Sequence, residues 1–147
     1  MAFMYRQRLE SALGKMALVN VSCCLNVAEN FALLVLSFAP SKEDFRLHQA
    51  AFIAFILCSQ GYMFLSYRLW DAVQTKCAHG HRYKANTLRL NLAFVVMSLY
   101  WYYRHNAYCE PGIYSLFSLC EYGIVLTNIG FHFASYYDFE EYHLTVA

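Results

Sequence analysis

Charged side chains are scarce in this chain: Asp, Glu, Lys and Arg make up 14% of its 147 residues, against about 25% in an average soluble domain. The sequence also lacks a phosphate-binding glycine loop, a nucleophile elbow, an HExxH helix, a basic nucleic-acid face and any internal repeat. These absences argue against a soluble enzyme and against a nucleic-acid-binding protein. Hydrophobic residues make up 59% of the chain, which predicts that lipid surrounds the fold.

Four apolar stretches are long enough to cross a bilayer, which takes about 20 residues of helix. They predict an all-α, polytopic membrane helical bundle with four transmembrane helices. The third span is interrupted near its start by Arg89, which can reach the headgroups from a helix end. The predicted spans cover residues of about 17–38, 50–67, 87–103 and 113–137.

The distribution of Lys and Arg predicts the orientation. Residues 1–147 are expected to form a single transmembrane domain, with residues 1–16 as a basic cytosolic tail, because the first apolar run is too long for a cleaved signal peptide. Eight of eleven basic residues fall on the face that holds both termini, so both termini are predicted to be cytosolic. These eight are Arg6, Arg8, Lys15, Arg68, Lys76, Arg82, Lys84 and Arg89.

The last span carries one stripe of polar side chains. Glu121, Asn128 and His132 lie within about 40° of one another on a helix. A carboxylate at membrane depth costs roughly 2.5–3.5 kcal/mol, so such groups usually face a bundle interior, a partner or a wet cavity. The stripe therefore predicts either a functional polar cleft or hydrogen bonds that hold helices together.

The first span carries a second polar arc, formed by Asn26, Glu29 and Asn30, which spans about 100°. Two such arcs in one small bundle are expected to face each other. The hypothesis is a cleft between the first and last spans that binds a lipid headgroup or supports acid/base chemistry. Interhelical hydrogen bonding without catalysis is the alternative.

The two loops predicted to be lumenal supply carboxylates, imidazoles and a guanidinium near the interface, which would suit a phosphoinositol headgroup. A solvated loop without a function is the alternative reading of the same residues. Histidine is a common general base, and His105 lies at the lumenal depth that a lipid headgroup occupies. The loop residues are Glu43, Asp44, His48, Arg104, His105, Asn106 and Glu110.

A metal site is not predicted. Cys77, His79 and His81 stand close together, but they lack the ligand count and spacing of a zinc site.

The segments LNVAENFALLVLSF, SKEDFRLHQAAFIAF and EYGIVLTNIGFHF followed by DF resemble the post-GPI attachment to proteins factor 2 family. The wider family also contains the damage-regulated autophagy modulators. The resemblance implies a multi-pass protein of the Golgi membrane, and also of the endoplasmic reticulum, that supports reacylation of lyso-GPI with a saturated chain. It implies membrane lipids and lyso-GPI as partners, an acyl donor if the protein is an enzyme, and no cofactor. Family members have a further span ahead of the first one here, so an N-terminally shortened form is expected.

Two functions follow from these residues and the resemblance: an acyltransferase of GPI-anchor remodelling, or a non-catalytic membrane adaptor or lipid sensor that assembles with a partner enzyme. The candidate catalytic residues are His105, Glu110, Glu121 and His132. The candidate headgroup-binding residues are Asn26, Glu29, Asn30, Glu43, Asp44, His48, Arg104 and Asn128.

Overall fold

The structure is a computed structural model, and it describes residues 16–40, 44–73, 78–108 and 110–134. Within these residues the backbone forms four helices and no strand, which confirms the predicted all-α fold. The helices are α1 (Met16–Phe38), α2 (Phe45–Val73), α3 (Ala78–Tyr108) and α4 (Ile113–Phe133).

The predicted spans correspond one to one with these helices, but two helices are much longer than their spans. The spans at 50–67 and 87–103 form only the central parts of α2 and α3. The described residues between the second and third predicted spans, 68–73 and 78–86, are helical as well, so α2 and α3 extend beyond those spans. Residues 135–137 of the last predicted span lie outside the described residues.

Three helical stretches in the described residues are long and apolar enough to cross a membrane: Ala17–Phe38, Phe45–Leu69 and Ile113–Phe133. Helix α3 is not among them. Arg89 and Arg104 leave only residues 90–103 free of charge, a length of about 21 Å at 1.5 Å per residue. A crossing by α3 needs both arginine side chains to reach the headgroups, and that crossing stays a prediction.

The chain divides into two compact units, residues 1–75 and 76–147. Each unit contains one antiparallel helical hairpin, α1 with α2 and α3 with α4. The prediction of a single domain over residues 1–147 is not tested by this division and stays a prediction.

Small side chains set the register of the first hairpin. Ser22 Oγ lies 3.5 Å from Ser66 Oγ, and both residues are buried. Leu25 packs against Gly61, where an added Cβ would lie 3.2 Å from a Leu25 methyl carbon. Close approach at a small residue is a common way for membrane helices to pack.

The second hairpin is held by an amide and a close ring contact. The side chain of Asn91 donates to the Ile124 carbonyl oxygen and to Thr127 Oγ1, both at 2.7 Å. Gly123 leaves room for the ring of Phe94. These contacts fix α3 against α4 over about two turns.

The turn between α3 and α4 depends on Gly112, whose φ of +85° is the left-handed conformation that glycine adopts at little cost. Its carbonyl oxygen accepts the N–H groups of Ser115 and Leu116 at 3.1 and 3.3 Å, which starts α4. Pro111 precedes the helix, because the chain bends at Gly112 before helical bonding begins.

Gly123→Ala is expected to destabilise the second hairpin. A Cβ at this position would lie 2.7 Å from Cδ1 and 2.9 Å from Cγ of Phe94, and overpacking costs typically about 1–3 kcal/mol. Gly130→Ala is the control on the same helix, since its Cβ would meet its nearest atom, the Tyr83 hydroxyl, at 3.5 Å. The measurement is an SDS unfolding titration of the purified full chain in bicelles. Equal stability of the two variants would contradict the close contact with Phe94.

Asn91→Ala and Thr127→Val are expected to be energetically coupled. Asn91 donates directly to the Thr127 hydroxyl, which in turn donates to the Gly123 carbonyl oxygen at 2.7 Å. A double-mutant cycle by the same titration should give a coupling of about 0.6 kcal/mol, and up to about 1.7 kcal/mol. Asn106→Ala, at an exposed position of α3, should change stability little. Additive effects of the two substitutions would exclude the bond as a stabilising contact.

Candidate functional site

Buried polar residues recur every seven positions along three of the helices. A spacing of seven keeps side chains on one face of a helix that packs against another. All of these residues are 3% exposed or less, so the hairpin interiors contain polar groups beside buried apolar side chains such as Phe55 and Ile124. We call this set the polar seams: Ser22 and Glu29 on α1, Ser59 and Ser66 on α2, and Lys84, Asn91 and Ser98 on α3.

Among the seam residues, Lys84 is the charged one whose burial the sequence did not predict. Its charge places it among the basic residues of the predicted cytosolic face, between two predicted spans, but it is 1% exposed within α3. Without Lys84, seven basic residues remain on the face that is predicted to be cytosolic. The spacing of seven to Asn91 and again to Ser98 was the signal that could have identified it.

The polar arc of α1 separates into residues with different surroundings. Glu29 is buried and belongs to a polar seam. Asn26 is half-buried and Asn30 is exposed. The Asn30 side chain donates to the backbone oxygen of Asn26 at 2.7 Å, so its amide is engaged by its own helix. Glu29 is therefore the residue of this arc that the structure places in the interior.

The stripe on α4 also varies in burial. Asn128 is buried on the same face as Ile124 and Phe131. Glu121 and His132 are half-buried beside that face, and the His132 ring stands edge-on to Phe131 with ring centroids 6.4 Å apart. The three polar residues thus follow one side of α4. The predicted cleft between α1 and α4 would join the two units, and it stays a prediction.

The start of α2 contains two of the predicted headgroup residues, and both make local bonds. Asp44 Oδ1 accepts the backbone N–H of Leu47 at 3.0 Å, which caps the helix. His48 Nδ1 lies 2.8 Å from the carbonyl oxygen of Ala39, just beyond the end of α1. Glu43, a third predicted headgroup residue, lies outside the described residues. Helix capping thus occupies one oxygen of the Asp44 carboxylate.

The end of α3 brings Arg104 and Glu110 together. Arg104 Nη2 lies 2.7 Å from both carboxylate oxygens of Glu110, and Nη1 lies 3.4 Å from the Tyr100 hydroxyl. Glu110, and secondarily Tyr100, raises the pKa of the Arg104 guanidinium above its usual range. The two ion-pair side chains are 34% and 39% exposed, so an anion from solvent or from a lipid headgroup can compete for the guanidinium.

His105 follows Arg104 in the sequence, and its ring packs against α4. Its ring centroid lies 5.5 Å from that of Tyr114. Its Nδ1 is buried and has no hydrogen-bond partner among the described residues. The structure therefore places the predicted base His105 at the hairpin end, with no hydrogen bond to Nδ1 that would orient the imidazole.

No group of three or more His, Cys, Asp or Glu side chains among the described residues could hold a metal ion. The side chains of Cys77 and His79 lie outside that part of the chain. The prediction that this segment has no metal site stays a prediction.

The chain is similar to several curated proteins. It is 43% identical over 124 residues to "Post-GPI attachment to proteins factor 2" of Drosophila melanogaster, covering 81% of this chain and 49% of that protein. The protein of the same name from Caenorhabditis elegans is 44% identical over 127 residues, covering 83% and 48%. "Acyltransferase PGAP2" of Xenopus tropicalis is 34% identical over 134 residues, covering 88% and 53%.

The chain therefore spans about half the length of the curated relatives it matches. No solved structure matches it. The model of the Frag1/DRAM/Sfk1/Cwh43P N-terminal domain family matches residues 1–142, nearly the whole chain. Together with the identities above 40%, this match shows that the chain belongs to the Frag1/DRAM/Sfk1/Cwh43P N-terminal domain family.

Proposed function

We propose that this protein supports fatty-acid remodelling of GPI anchors, in the step that returns a saturated acyl chain to lyso-GPI. The observation that carries the proposal is the identity of 42–44% with relatives named for post-GPI attachment, over about four fifths of the chain. The relative named an acyltransferase supports catalysis by this chain itself. The three apolar helices agree with a lipid substrate, because they place the protein in the bilayer where such a substrate lies.

The reaction joins the free hydroxyl of lyso-GPI to an acyl group. The hydroxyl oxygen attacks the acyl carbonyl, a new ester forms, and the bond from the acyl carbon to its former carrier breaks. The acyl donor is the co-reactant, and the protein needs no cofactor for this chemistry. What the protein must supply is a place for the headgroup, an aligned acyl chain and a proton acceptor.

We assign headgroup binding to Arg104. Its guanidinium is partly exposed at the end of α3, and a planar guanidinium binds phosphate through paired hydrogen bonds. Glu110 holds the guanidinium in place at 2.7 Å, and it competes with an incoming phosphate for the same N–H groups. Glu110 is therefore proposed as a gate on this site rather than as a proton acceptor.

Glu121 and His132 remain catalytic candidates at greater depth, on the polar side of α4. Both are half-buried, which places them within reach of an acyl chain or an ester lying against the helix. Asn128 and Glu29 are buried, and we propose that they shape the protein interior near the substrate rather than contact the headgroup.

We also propose that the protein acts in the Golgi membrane and in the endoplasmic reticulum membrane, with both termini cytosolic. The excess of Lys and Arg on the face that holds the termini supports the orientation, and the compartments are those that the family resemblance implies. This orientation puts the start of α2 and the end of α3 on the lumenal side, where the GPI headgroup is exposed.

Arg104→Gln is expected to weaken binding of lyso-GPI about ten-fold, because it removes a charged hydrogen-bond donor from the phosphate. Glu110→Gln should strengthen the same binding, since it removes the competing carboxylate. Arg46→Gln, which removes an exposed arginine at the start of α2, is the matched control. The measurement is binding and acyl transfer by the purified full chain in liposomes that contain lyso-GPI and a saturated acyl donor.

Three results, from this assay and from knockout cells, distinguish the alternatives. Transfer by the wild type that falls in Glu121→Ala or His132→Ala supports an enzyme with a site along α4. Loss of surface GPI-anchored proteins in knockout cells, with no transfer by the purified chain, would instead indicate the adaptor. Equal binding by Arg104→Gln and Arg46→Gln would exclude Arg104 as the headgroup site.

Asn106→Cys is expected to react with a membrane-impermeant maleimide only from the lumenal side of sealed vesicles, in a background without the six native cysteines. Asn106 is exposed beside the proposed headgroup site. Gln7→Cys, in the basic tail, should react only from the cytosolic side. Labelling of Asn106→Cys from the cytosolic side would reverse the proposed orientation.

A further inference from the structure

His48 has a defined tautomer. Its Nδ1 lies 2.8 Å from the carbonyl oxygen of Ala39. A carbonyl oxygen can only accept a hydrogen bond, so Nδ1 must carry the hydrogen. In the neutral ring the lone pair is then on Nε2, which is the arrangement of a base whose orientation is fixed by a bond to its other nitrogen.

The group that orients His48 is itself rigid. Ala39 is buried, and its N–H donates to the Val35 carbonyl oxygen at 2.9 Å, which continues the bonding of α1 by one residue. The Ala39 carbonyl lies beyond the last helical residue and has no later turn of α1 to bond. Because the acceptor belongs to the backbone of a buried residue, it holds the half-buried imidazole in one position.

The described charged groups nearest to His48 in sequence are Asp44 and Arg46, and both are exposed. The Asp44 carboxylate accepts the Leu47 N–H at the helix start. The end of α1 that meets this end of α2 contains no charged residue between Val35 and Pro40. The Lys42 and Glu43 side chains lie outside the described residues.

We propose that His48 is the general base of the acyl transfer, and this inference rests on the function proposed above. His48 Nε2 takes the proton from the lyso-GPI hydroxyl as its oxygen attacks the carbonyl carbon of an acyl ester or thioester. The resulting imidazolium then gives that proton to the leaving alcohol or thiol as the carrier bond breaks. One ester is formed, one acyl bond is broken, and the imidazole returns to its starting state.

His48 suits this role better than His105, although both lie at predicted lumenal depth. The Nδ1 of His48 is bonded, so Nε2 is available in the neutral form. The Nδ1 of His105 is buried without a partner among the described residues, so no bond at that nitrogen selects a tautomer. A base oriented in advance contributes typically 10²–10⁴-fold to the rate.

The competing explanation is that His48 only caps α1 and ties the hairpin together. His48→Asn separates the two roles, because the asparagine amide nitrogen stands the same number of bonds from Cα as Nδ1 and can donate to Ala39. It cannot accept a proton. His48→Ala removes both the bond and the base, so its comparison with His48→Asn measures the structural contribution.

The experiment measures acyl transfer from radiolabelled palmitoyl-CoA and, separately, from dipalmitoyl phosphatidylcholine to lyso-GPI in liposomes. The two donors distinguish a thioester from an ester source. The variants are His48→Asn, His48→Ala and His105→Asn, with His81→Asn as a histidine control on α3. Thermal stability of each purified variant is measured in parallel, and kcat and KM are determined between pH 5 and pH 9.

We expect His48→Asn to keep the thermal stability and the KM of the wild type and to lose about 100-fold or more in kcat. The pH dependence of the wild-type rate should be absent from the residual rate of His48→Asn. His81→Asn should behave as the wild type.

Two results overturn the inference. Full activity of His48→Asn with an unchanged pH profile excludes His48 as the base while leaving the proposed function intact, and a loss in His105→Asn alone would assign the base to His105. No transfer by the wild type from either donor refutes catalysis by this chain, and the role of His48 falls with it.

Discussion

Asn91 is fully buried, and its amide nitrogen donates to α4, to the Ile124 carbonyl and the Thr127 hydroxyl. In a bilayer no water replaces a lost hydrogen bond, so a buried polar group constrains its partner helix more strongly than an apolar contact of the same area does. An apolar helix surface has no strong preference for a neighbouring helix over lipid, because both are similarly apolar. The hydrogen bonds of the polar seams provide that preference.

The first hairpin depends on the same kind of contact, because the hydroxyls of Ser22 and Ser66 meet between α1 and α2. Each hairpin is therefore specified by polar contacts inside an apolar exterior.

The existence and type of the four helices could be predicted from the sequence, because apolar length is a strong signal in a membrane protein. The ends of α1 agree with the predicted span to within one residue. The extent of α3 could not be predicted. Hydropathy treats every charge as solvated, so the predicted span begins only near Arg89. The helix continues for eleven residues before Arg89 and buries Lys84. Hydropathy measures transfer into lipid, whereas a lysine can be buried in protein when its surroundings compensate the charge. The spacing of seven between Lys84 and Asn91 carried information that the hydropathy pattern did not.

The candidate site shows a similar limit. Residue type and depth predicted Arg104 and Glu110 as separate candidates on the lumenal side, and the ion pair that joins them was not predicted. Residue type could not predict that Asp44 would cap α2, because a carboxylate serves equally well as a helix cap and as a headgroup contact. The same ambiguity applies to Asn30, whose amide bonds to its own helix. What separates the roles is the geometry of the neighbouring backbone, which depends on where each helix ends.

The bond from His48 to Ala39 shows why helix ends matter here. Ala39 lies one residue past α1, and its carbonyl oxygen is one of the acceptors that a helix leaves unsatisfied at its C-terminus. An imidazole N–H from the first turn of α2 satisfies this oxygen, and the negative end of the α1 dipole favours a donor or a positive charge at that place. One contact thus ends α1, joins it to α2 and selects the tautomer of the ring. Positive charge that forms on the imidazole during proton transfer would be stabilised by the same carbonyl. A base built in this way needs no buried carboxylate partner, which would be costly to keep charged in a bilayer.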